Sequence, residues 1–181
     1  MNHMAIDTFV SRPTKLPKSF EDAYSAFHCY VEKHHGLRLR RLGSTDYSDE
    51  APLRAIIEIM DECKGAIILG YPQIEIYHHI RRSIDVSQDP TLMFPTPWNQ
   101  IEASLAFGAK LPVLVIGHPG IGGGVFDHGV TGQYVLTEDL AQMDWFMQQP
   151  FQQLLAKWKK RIDPSASTRE MARTKTGRTK R

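Results

Sequence analysis

Residues 96–102 hold the side chains of this sequence with the clearest chemical potential. Thr96 followed by Pro97 predicts a helix start, because threonine can cap the first turn and proline fits its first position. Trp98 and Glu102 then share a helix face. A carboxylate there could stabilise an oxocarbenium ion or attack an anomeric carbon, and the indole could stack on a nucleobase or nicotinamide. The alternative is a solvated glutamate beside a core tryptophan on an amphipathic helix.

The common signatures of nucleotide and metal sites are missing from the sequence. Neither GxGxxG after the first strand nor the P-loop pattern GxxxxGK[ST] occurs. Gly120 and residues 122–124 could approach a phosphate through backbone N–H groups, but their spacing favours a flexible loop. The histidine pairs at 34–35 and 78–79 point to different sides of their elements, and the two cysteines are far apart. We therefore expect no metal site and no cofactor.

Strand-like and helix-like segments alternate along the chain, as judged from apolar runs and from apolar residues at helical spacing. The predicted strands are residues 8–11, 37–40, 66–69, 112–117 and 133–136. The predicted helices are residues 20–34, the stretch between Ser48 and Gly65, residues 73–82, residues 98–109, and residues 137–161 with a break at Pro150. This alternation predicts a single-domain, flavodoxin-like α/β fold with three layers and a five-stranded parallel sheet of order 2-1-3-4-5.

The sequence also predicts the caps of the first two helices and the buried face of the second. Ser19 is expected to cap the first helix, with Asp22 completing an approximate capping box. Ser48 is expected to cap the second helix, with Pro52 in its first turn. The buried stripe of that second helix is predicted to consist of Leu53, Ile56, Ile57 and Met60.

Ligands of such sheets bind at the carboxyl ends of the strands. The predicted rim therefore consists of residues 11–13, 70–72, 96–102 and 117–127. Arg12 could neutralise a phosphate there, or it could be an ordinary exposed arginine. Asp127 and His128, in the loop after the fourth strand, could complete the site, although such loop residues are commonly only solvated.

The 181-residue length and ordinary composition fit one globular domain. The apolar runs are too short to span a membrane, no signal peptide is recognisable, and two cysteines fit a reducing compartment, so we expect a cytoplasmic protein. Residues 162–181 contain six basic and two acidic residues and are predicted to form a disordered tail after a domain of residues 1–161. The tail lacks aromatic residues, which favours solvation over nucleic-acid binding.

Two segments resemble motifs of TIR domains. Residues 7–11, Asp-Thr-Phe-Val-Ser, are similar to the first TIR strand, D-x-F-[IV]-S. Residues 96–102 are similar to the TIR segment S-x-W-x-x-x-E, whose glutamate is catalytic in NAD-cleaving members. The helix and strand at 56–69 lie between them in the TIR order, so the resemblance covers residues 6–140. The resemblance implies that Glu102 is the catalytic residue.

The chain departs from the TIR pattern at several points. Residues 71–97 form a longer connection than a compact TIR domain uses, with 28 residues between the third strand and Trp98. Thr96 stands where TIR domains often have serine, which keeps a hydroxyl. Asn99 stands where they often have cysteine, a position with no catalytic role. The long connection could reshape the substrate pocket or act as a lid.

The same region is similar to nucleoside 2-deoxyribosyltransferases, which share this architecture. Residues 102–113 resemble their E-x-G-x-A-x-x-x-x-K-P-V run, in which the glutamate is the nucleophile. Ser104 replaces a glycine of that run, and the D-x-G-T that should precede the glutamate is missing. Both families break or exchange an N-glycosidic bond, and that shared chemistry is firmer than either family name.

The TIR resemblance implies an enzyme that cleaves the nicotinamide–ribose bond of NAD, which is then a substrate and not a cofactor. Glu102 would hold the ribose hydroxyls and stabilise the oxocarbenium-like transition state or trap it covalently. The candidate substrate-binding residues are Phe9, Ser11, Arg12, Tyr71, Thr96, Trp98, Asn99, Asp127 and His128. Core packing is the alternative for the aromatic residues, and for Phe9 it is the favoured one.

The product of such cleavage would be ADP-ribose or a cyclic ADP-ribose isomer. Stand-alone bacterial TIR proteins of this size are often antiviral-defence enzymes, which by analogy implies a homo-oligomer and a downstream effector protein. Two alternatives stay open. One is a nucleoside or nucleotide 2-deoxyribosyltransferase or N-glycoside hydrolase, and the other is a non-catalytic scaffold that binds a nucleotide or another TIR domain.

Overall fold

The protein is described by a computed structural model that covers residues 5–76 and 92–163. The strands are β1 (Ile6–Ser11), β2 (Leu37–Arg40), β3 (Gly65–Gly70), β4 (Ile74–Ile76), β5 (Leu92–Phe94), β6 (Val113–Gly117) and β7 (Val135–Thr137). The α-helices are α1 (Lys18–His35), α2 (Pro52–Glu62), α3 (Pro97–Gly108) and α4 (Gln149–Ile162). Short 3-10 helices occupy Gly124–Phe126 and Trp145–Met147.

The main sheet has five parallel strands in the order β2-β1-β3-β6-β7. Strands β4 and β5 form a separate antiparallel pair. When that pair is set aside, the main sheet has the order 2-1-3-4-5, which confirms the predicted flavodoxin-like α/β class. The predicted character of the strands also holds: β3 is buried throughout, whereas the edge strand β2 alternates between buried leucines and more exposed arginines.

Two hydrophobic layers cover the two faces of the main sheet. One layer joins apolar residues of β1, β3 and β6 to α1 and α4, with Phe27 and Trp145 near its centre. The other layer packs α2 and α3 against the opposite face and includes Ile56, Ala103 and Ala106. Because the helices cover both faces, the carboxyl ends of the strands are the edge that is left to receive a ligand.

The predicted caps of the first two helices are wrong. α1 begins at Lys18 after Pro17, so Ser19 lies inside its first turn, where Glu21 faces the positive end of the helix dipole. α2 begins at Pro52, and the Ser48 hydroxyl accepts the N–H of Glu50 in a turn before the helix. Serine competed for local backbone groups in that turn and did not cap the helix.

The buried face of α2 also differs from the prediction. Leu53 and Ile57 are 46% and 41% exposed, whereas Ile56 and Met60 are buried as expected. The remaining buried positions of this helix are Ala55 and Ile59. Two rows at i, i+4 spacing, 55–59 and 56–60, therefore face the sheet, and Leu53 and Ile57 lie outside that face.

Two further segments differ from their predicted structure. Residues 74–76 of the predicted helix 73–82 form β4 and pair with β5, and residues 77–82 lie outside the described residues. The predicted final helix at 137–161 is not continuous: Thr137 is the last residue of β7, a 3-10 helix follows at Trp145–Met147, and α4 begins at Gln149. Pro150 therefore lies in the first turn of α4, where its missing N–H costs nothing.

The predicted tail begins inside α4, since Ile162 is a buried residue of that helix. Residues 164–181 lie outside the described residues, as do His78 and His79. Within the described part of the chain, no helix has the length and apolar character needed to cross a membrane.

Candidate active site

The first turn of α3 stands at the carboxyl edge of the sheet. The Thr96 Oγ1 atom accepts a hydrogen bond from the N–H of Asn99 at 3.2 Å, and Pro97 occupies the first helical position. The predicted cap of this helix is thereby confirmed. Ser11, the last residue of β1, lies beside this turn, since the Asn99 Nδ2 atom donates to its hydroxyl at 2.7 Å.

A cavity of about 420 Å³ opens at this edge of the sheet. Trp98 and Glu102 both line it, so the two residues that the sequence placed on one helix face do share one concave site. Trp98 is 45% exposed, which makes its indole available to a ligand. Three cationic side chains, Arg12, Lys15 and Arg41, line the same cavity. Its size suits a small molecule.

Four polar side chains form a hydrogen-bond chain that ends at Glu102. The Ser11 hydroxyl donates to the Glu102 Oε2 atom and accepts from Asn99. The Asn99 Oδ1 atom in turn accepts from the Thr96 hydroxyl at 3.0 Å, and its Nδ2 atom also lies 3.4 Å from the carbonyl oxygen of Leu69. Ser11 and Asn99 are buried, so this chain fixes Glu102 relative to the sheet.

Burial raises the pKa of Glu102 to about 7, against the opposing effects of the Ser11 hydrogen bond and the positive charge of Arg41. The carboxyl group is therefore partly protonated near neutral pH. Among the described residues, no donor reaches its Oε1 atom, which leaves one carboxylate oxygen free to meet a ligand. A desolvated carboxylate of this kind can stabilise positive charge, attack carbon or exchange a proton.

Arg12 lines the cavity, but it is not the ordinary exposed arginine of the alternative interpretation. Its side chain is 4% exposed, and its guanidinium donates two hydrogen bonds to Glu21, at 2.8 and 2.9 Å. The guanidinium also lies 4.1 Å from the centre of the Tyr24 ring. These contacts hold Arg12 rigidly at the cavity wall.

Arg41 is a site residue that the sequence analysis missed. It follows β2 directly and donates from Nη1 to the carbonyl oxygen of Pro13 at 3.3 Å. Burial lowers the pKa of its guanidinium. The rule that ligands meet strand carboxyl ends could have found this residue, but the predicted rim did not include the end of β2.

Two aromatic candidates lie outside the cavity lining. Phe9 is fully buried in the hydrophobic layer between the sheet and helices α2 and α3, as expected from core packing. Tyr71 is also fully buried, and Phe20 packs edge-on against it with ring centres 5.4 Å apart. Burial raises the pKa of the Tyr71 hydroxyl. The prediction that these two rings contact a ligand is corrected. Both are fully buried in the hydrophobic layers, where large aromatic side chains fill the core.

Asp127 and His128 do not line the cavity either. The Asp127 Oδ1 atom accepts the N–H of Gly123 at 2.7 Å, which closes the glycine-rich loop on itself. His128 lies near the ring of Tyr134, with ring centres 6.2 Å apart. Gln100 of α3 holds the same loop, because its Nε2 atom donates to the carbonyl oxygen of Gly123 at 2.9 Å.

Asp7, the first residue of the strand motif, has a structural role. Its carboxylate pairs with Arg38 and Arg40 of the neighbouring strand, and these contacts lower its pKa. Asp46 and Glu62 extend the network around Arg40. Over residues 5–76 and 92–163, no group of three or more His, Cys, Asp or Glu side chains is placed to hold a metal ion.

Comparisons with known proteins find no match to this chain. No protein-family model matches the chain, and neither the curated proteins nor the solved structures yield a match. The resemblances to TIR domains and deoxyribosyltransferases therefore stay hypotheses based on short motifs, and the fold by itself does not assign an activity. The contacts of Glu102 and the cavity that it lines are the structural features that bear on function.

Proposed function

We propose that this chain cleaves the N-glycosidic bond between nicotinamide and ribose in NAD, with Glu102 as the catalytic residue. The observation that carries the proposal is the placement of Glu102: Ser11 holds one of its carboxylate oxygens, while the residue lines a cavity together with the half-exposed Trp98. Such a carboxylate can stabilise the positive charge that develops at C1′ as the bond breaks.

The chemistry of NAD suits a single carboxylate. The C1′–N bond breaks with its electron pair going to the pyridinium nitrogen, so nicotinamide leaves as a neutral molecule without protonation. The ionised Glu102 then opposes the charge of the ribosyl oxocarbenium ion or forms an ester with C1′. Attack of water at C1′ and loss of its proton give ADP-ribose, whereas attack by a nitrogen of the adenine base gives a cyclic isomer.

The surroundings of Glu102 favour a phosphate-bearing substrate. Trp98 offers an exposed indole that can stack on nicotinamide or on a nucleobase. Arg12, Lys15 and Arg41 surround the cavity with positive charge, which suits the pyrophosphate of NAD better than an uncharged deoxynucleoside. A homo-oligomer, a downstream effector, a role in antiviral defence and a cytoplasmic location belong to this proposal, and they depend on the motif resemblance and the cysteine content alone.

A second candidate is a nucleotide N-glycoside hydrolase or 2-deoxyribosyltransferase. The observation in its favour is the pKa of about 7 at Glu102. A neutral nucleobase departs more easily when it is protonated, and a carboxyl that retains its proton near neutral pH can supply one. The non-catalytic scaffold is the third candidate, and it predicts ligand binding without turnover.

The discriminating experiment is chromatography of NAD, and separately of a mixture of deoxynucleosides and their 5′-phosphates, after incubation with the protein. Wild type is compared with Glu102→Gln, which keeps the size of the side chain and removes its charge. Glu58→Gln is the matched control, because Glu58 is an exposed residue of α2 that does not line the cavity.

We expect wild type and Glu58→Gln to consume NAD and release nicotinamide, and Glu102→Gln to lose the activity by a factor of about a hundred or more. The retention time of the second product separates ADP-ribose from a cyclic isomer. Release of free base from the deoxynucleotide mixture alone would replace the proposal by the second candidate. Binding of NAD without turnover by wild type, at high protein concentration, would support the scaffold.

A further inference from the structure

A second cavity lies beside the one that Glu102 lines. Its volume is about 350 Å³, and its walls include Ser25, His28 and Thr45. Three residues line both cavities: Arg12, Thr14 and Arg41. The two guanidinium groups and the threonine therefore form a wall that both cavities share.

The charge at this shared wall is incompletely compensated. Glu21 pairs with Arg12, but the Arg12 Nε atom is buried and has no hydrogen-bond partner. Among the described residues, the Arg41 guanidinium hydrogen-bonds only to the carbonyl oxygen of Pro13, and no carboxylate there bonds to it. Glu21 and Glu102 act on the Arg41 charge through space without bonding to it. A half-buried guanidinium with no bonded carboxylate is costly, and an anionic ligand that bonds to it would reduce that cost.

We propose that Arg41, together with Arg12 and Thr14, binds the phosphate groups of the substrate at the wall between the two cavities. This inference deepens the proposed function and rests on it for the position of the scissile bond. The ligand class is a nucleotide that carries a phosphate ester or pyrophosphate next to the ribose that Glu102 attacks. A planar guanidinium matches two phosphate oxygens at once, which a lysine does not do.

The shared wall also explains how one substrate uses both cavities. The scissile ribose and its base lie on the side of Glu102 and Trp98, and the phosphates lie against Arg41. The remainder of a dinucleotide then extends into the second cavity, where hydroxyl groups and His28 offer polar contacts. An uncharged nucleoside would leave Arg41 without its anion and would bind weakly.

The first test measures binding alone, by titration calorimetry with inorganic pyrophosphate. The proteins are wild type, Arg41→Gln, Arg41→Lys and the control Arg161→Gln, whose arginine lies in the last turn of α4 and lines neither cavity. We expect Arg41→Gln to weaken binding about tenfold to a hundredfold, Arg41→Lys to weaken it less, and the control to match wild type. Equal binding by wild type and Arg41→Gln, or no binding by wild type, would overturn the phosphate site.

The second test compares substrates that differ by one phosphate, nicotinamide mononucleotide and nicotinamide riboside. We expect Arg41→Gln to lower kcat/KM for the mononucleotide about tenfold or more beyond its effect on the riboside, mainly through KM, because loss of the Arg41 charge beside Glu102 acts on both substrates alike. An equal loss for both substrates would show a general structural effect and overturn the assignment. If wild type binds pyrophosphate through Arg41 but turns over no nicotinamide substrate, the proposed function fails while the phosphate site stands.

Discussion

The Ser11 hydroxyl donates a hydrogen bond to the Glu102 carboxylate, although 91 positions separate the two residues in the chain. Ser11 ends β1, which lies between β2 and β3 in the sheet, and Glu102 lies near the start of α3. Because the same hydroxyl oxygen accepts a hydrogen bond from Asn99, the single proton of Ser11 is committed to Glu102. The protonation of Glu102 therefore depends on Ser11, the residue at the carboxyl end of β1.

Replacement of Ser11 by alanine is expected to move the pH profile of NAD cleavage to higher pH. The Ser11 hydrogen bond stabilises the charged form of Glu102 and opposes the effect of burial, so its loss raises the pKa of this carboxyl above about 7. If the ionised carboxylate is the active form, the midpoint of the rising limb of kcat/KM shifts upward with it. The measurement is kcat/KM between about pH 5 and pH 9.

Ser104→Ala is the control for this shift. Ser104 is exposed on the same helix, and its hydroxyl donates to the carbonyl oxygen of Gln100 at 2.7 Å, away from Glu102. Its profile should match that of wild type. An unchanged midpoint in active Ser11→Ala protein would contradict the coupling between Ser11 and Glu102.

Glu102 should make the protein less stable as the pH rises. The folded protein retains the Glu102 proton up to about pH 7, whereas the unfolded chain releases it near its ordinary pKa of 4.5. Between these values the folded state binds more protons, so raising the pH lowers the free energy of unfolding. The glutamine of Glu102→Gln cannot ionise. We therefore expect the free energy of unfolding of this variant to fall by about 1–3 kcal/mol less than that of wild type over this interval.

Urea unfolding at about pH 5 and pH 8 measures this difference for both proteins. Other titrating groups contribute equally to the two proteins, so the comparison isolates Glu102. If the free energy of unfolding falls by the same amount in wild type and in Glu102→Gln between the two pH values, the Glu102 carboxyl is not desolvated in the folded state.

The sheet order was predictable because regular alternation of strands and helices leaves few parallel topologies. The shared cavity of Trp98 and Glu102 was predictable for a local reason, since helical spacing and the Thr96-Pro97 start fix both side chains within one turn. The roles of Ser11 and Asn99 were not predictable in the same way. Their contact joins β1 to α3, and only the packing of the helix on the sheet brings them together.

The predictions that failed did so for separate physical reasons. A serine before a helical pattern can cap the helix or close a separate turn, and at Ser48 the turn prevailed. Phe9 and Tyr71 lie on or next to strands that end at the site, but strand alternation directs both rings into the core. Strands β4 and β5 pair although they are far apart in the chain, and local sequence patterns do not predict such pairing.

The cap of α3 can be tested by its contribution to stability. Thr96→Ala removes the oxygen that accepts the Asn99 N–H and the hydroxyl that bonds its side chain, so it should cost about 1 kcal/mol or more. Thr96→Ser keeps both contacts and should lose less than half of that amount. Thr137→Ala is the control, because Thr137 is an exposed residue of β7 and caps no helix. Urea unfolding gives the three values, and an equal cost at Thr96 and Thr137 would contradict the capping role.

The close approach of Phe126 to the end of β3 depends on a glycine. An added Cβ at Gly70 would lie 2.5 Å from the Phe126 ring, a contact that forces the ring or the strand to move. Gly70→Ala is therefore expected to lower the free energy of unfolding by about 1–3 kcal/mol. Gly108, the last residue of α3, has open space around the same position, so Gly108→Ala should be neutral or stabilise by about 0.4–1 kcal/mol. Denaturant unfolding of both variants compares the two positions. If the two variants are equally stable, Phe126 does not pack against the end of β3.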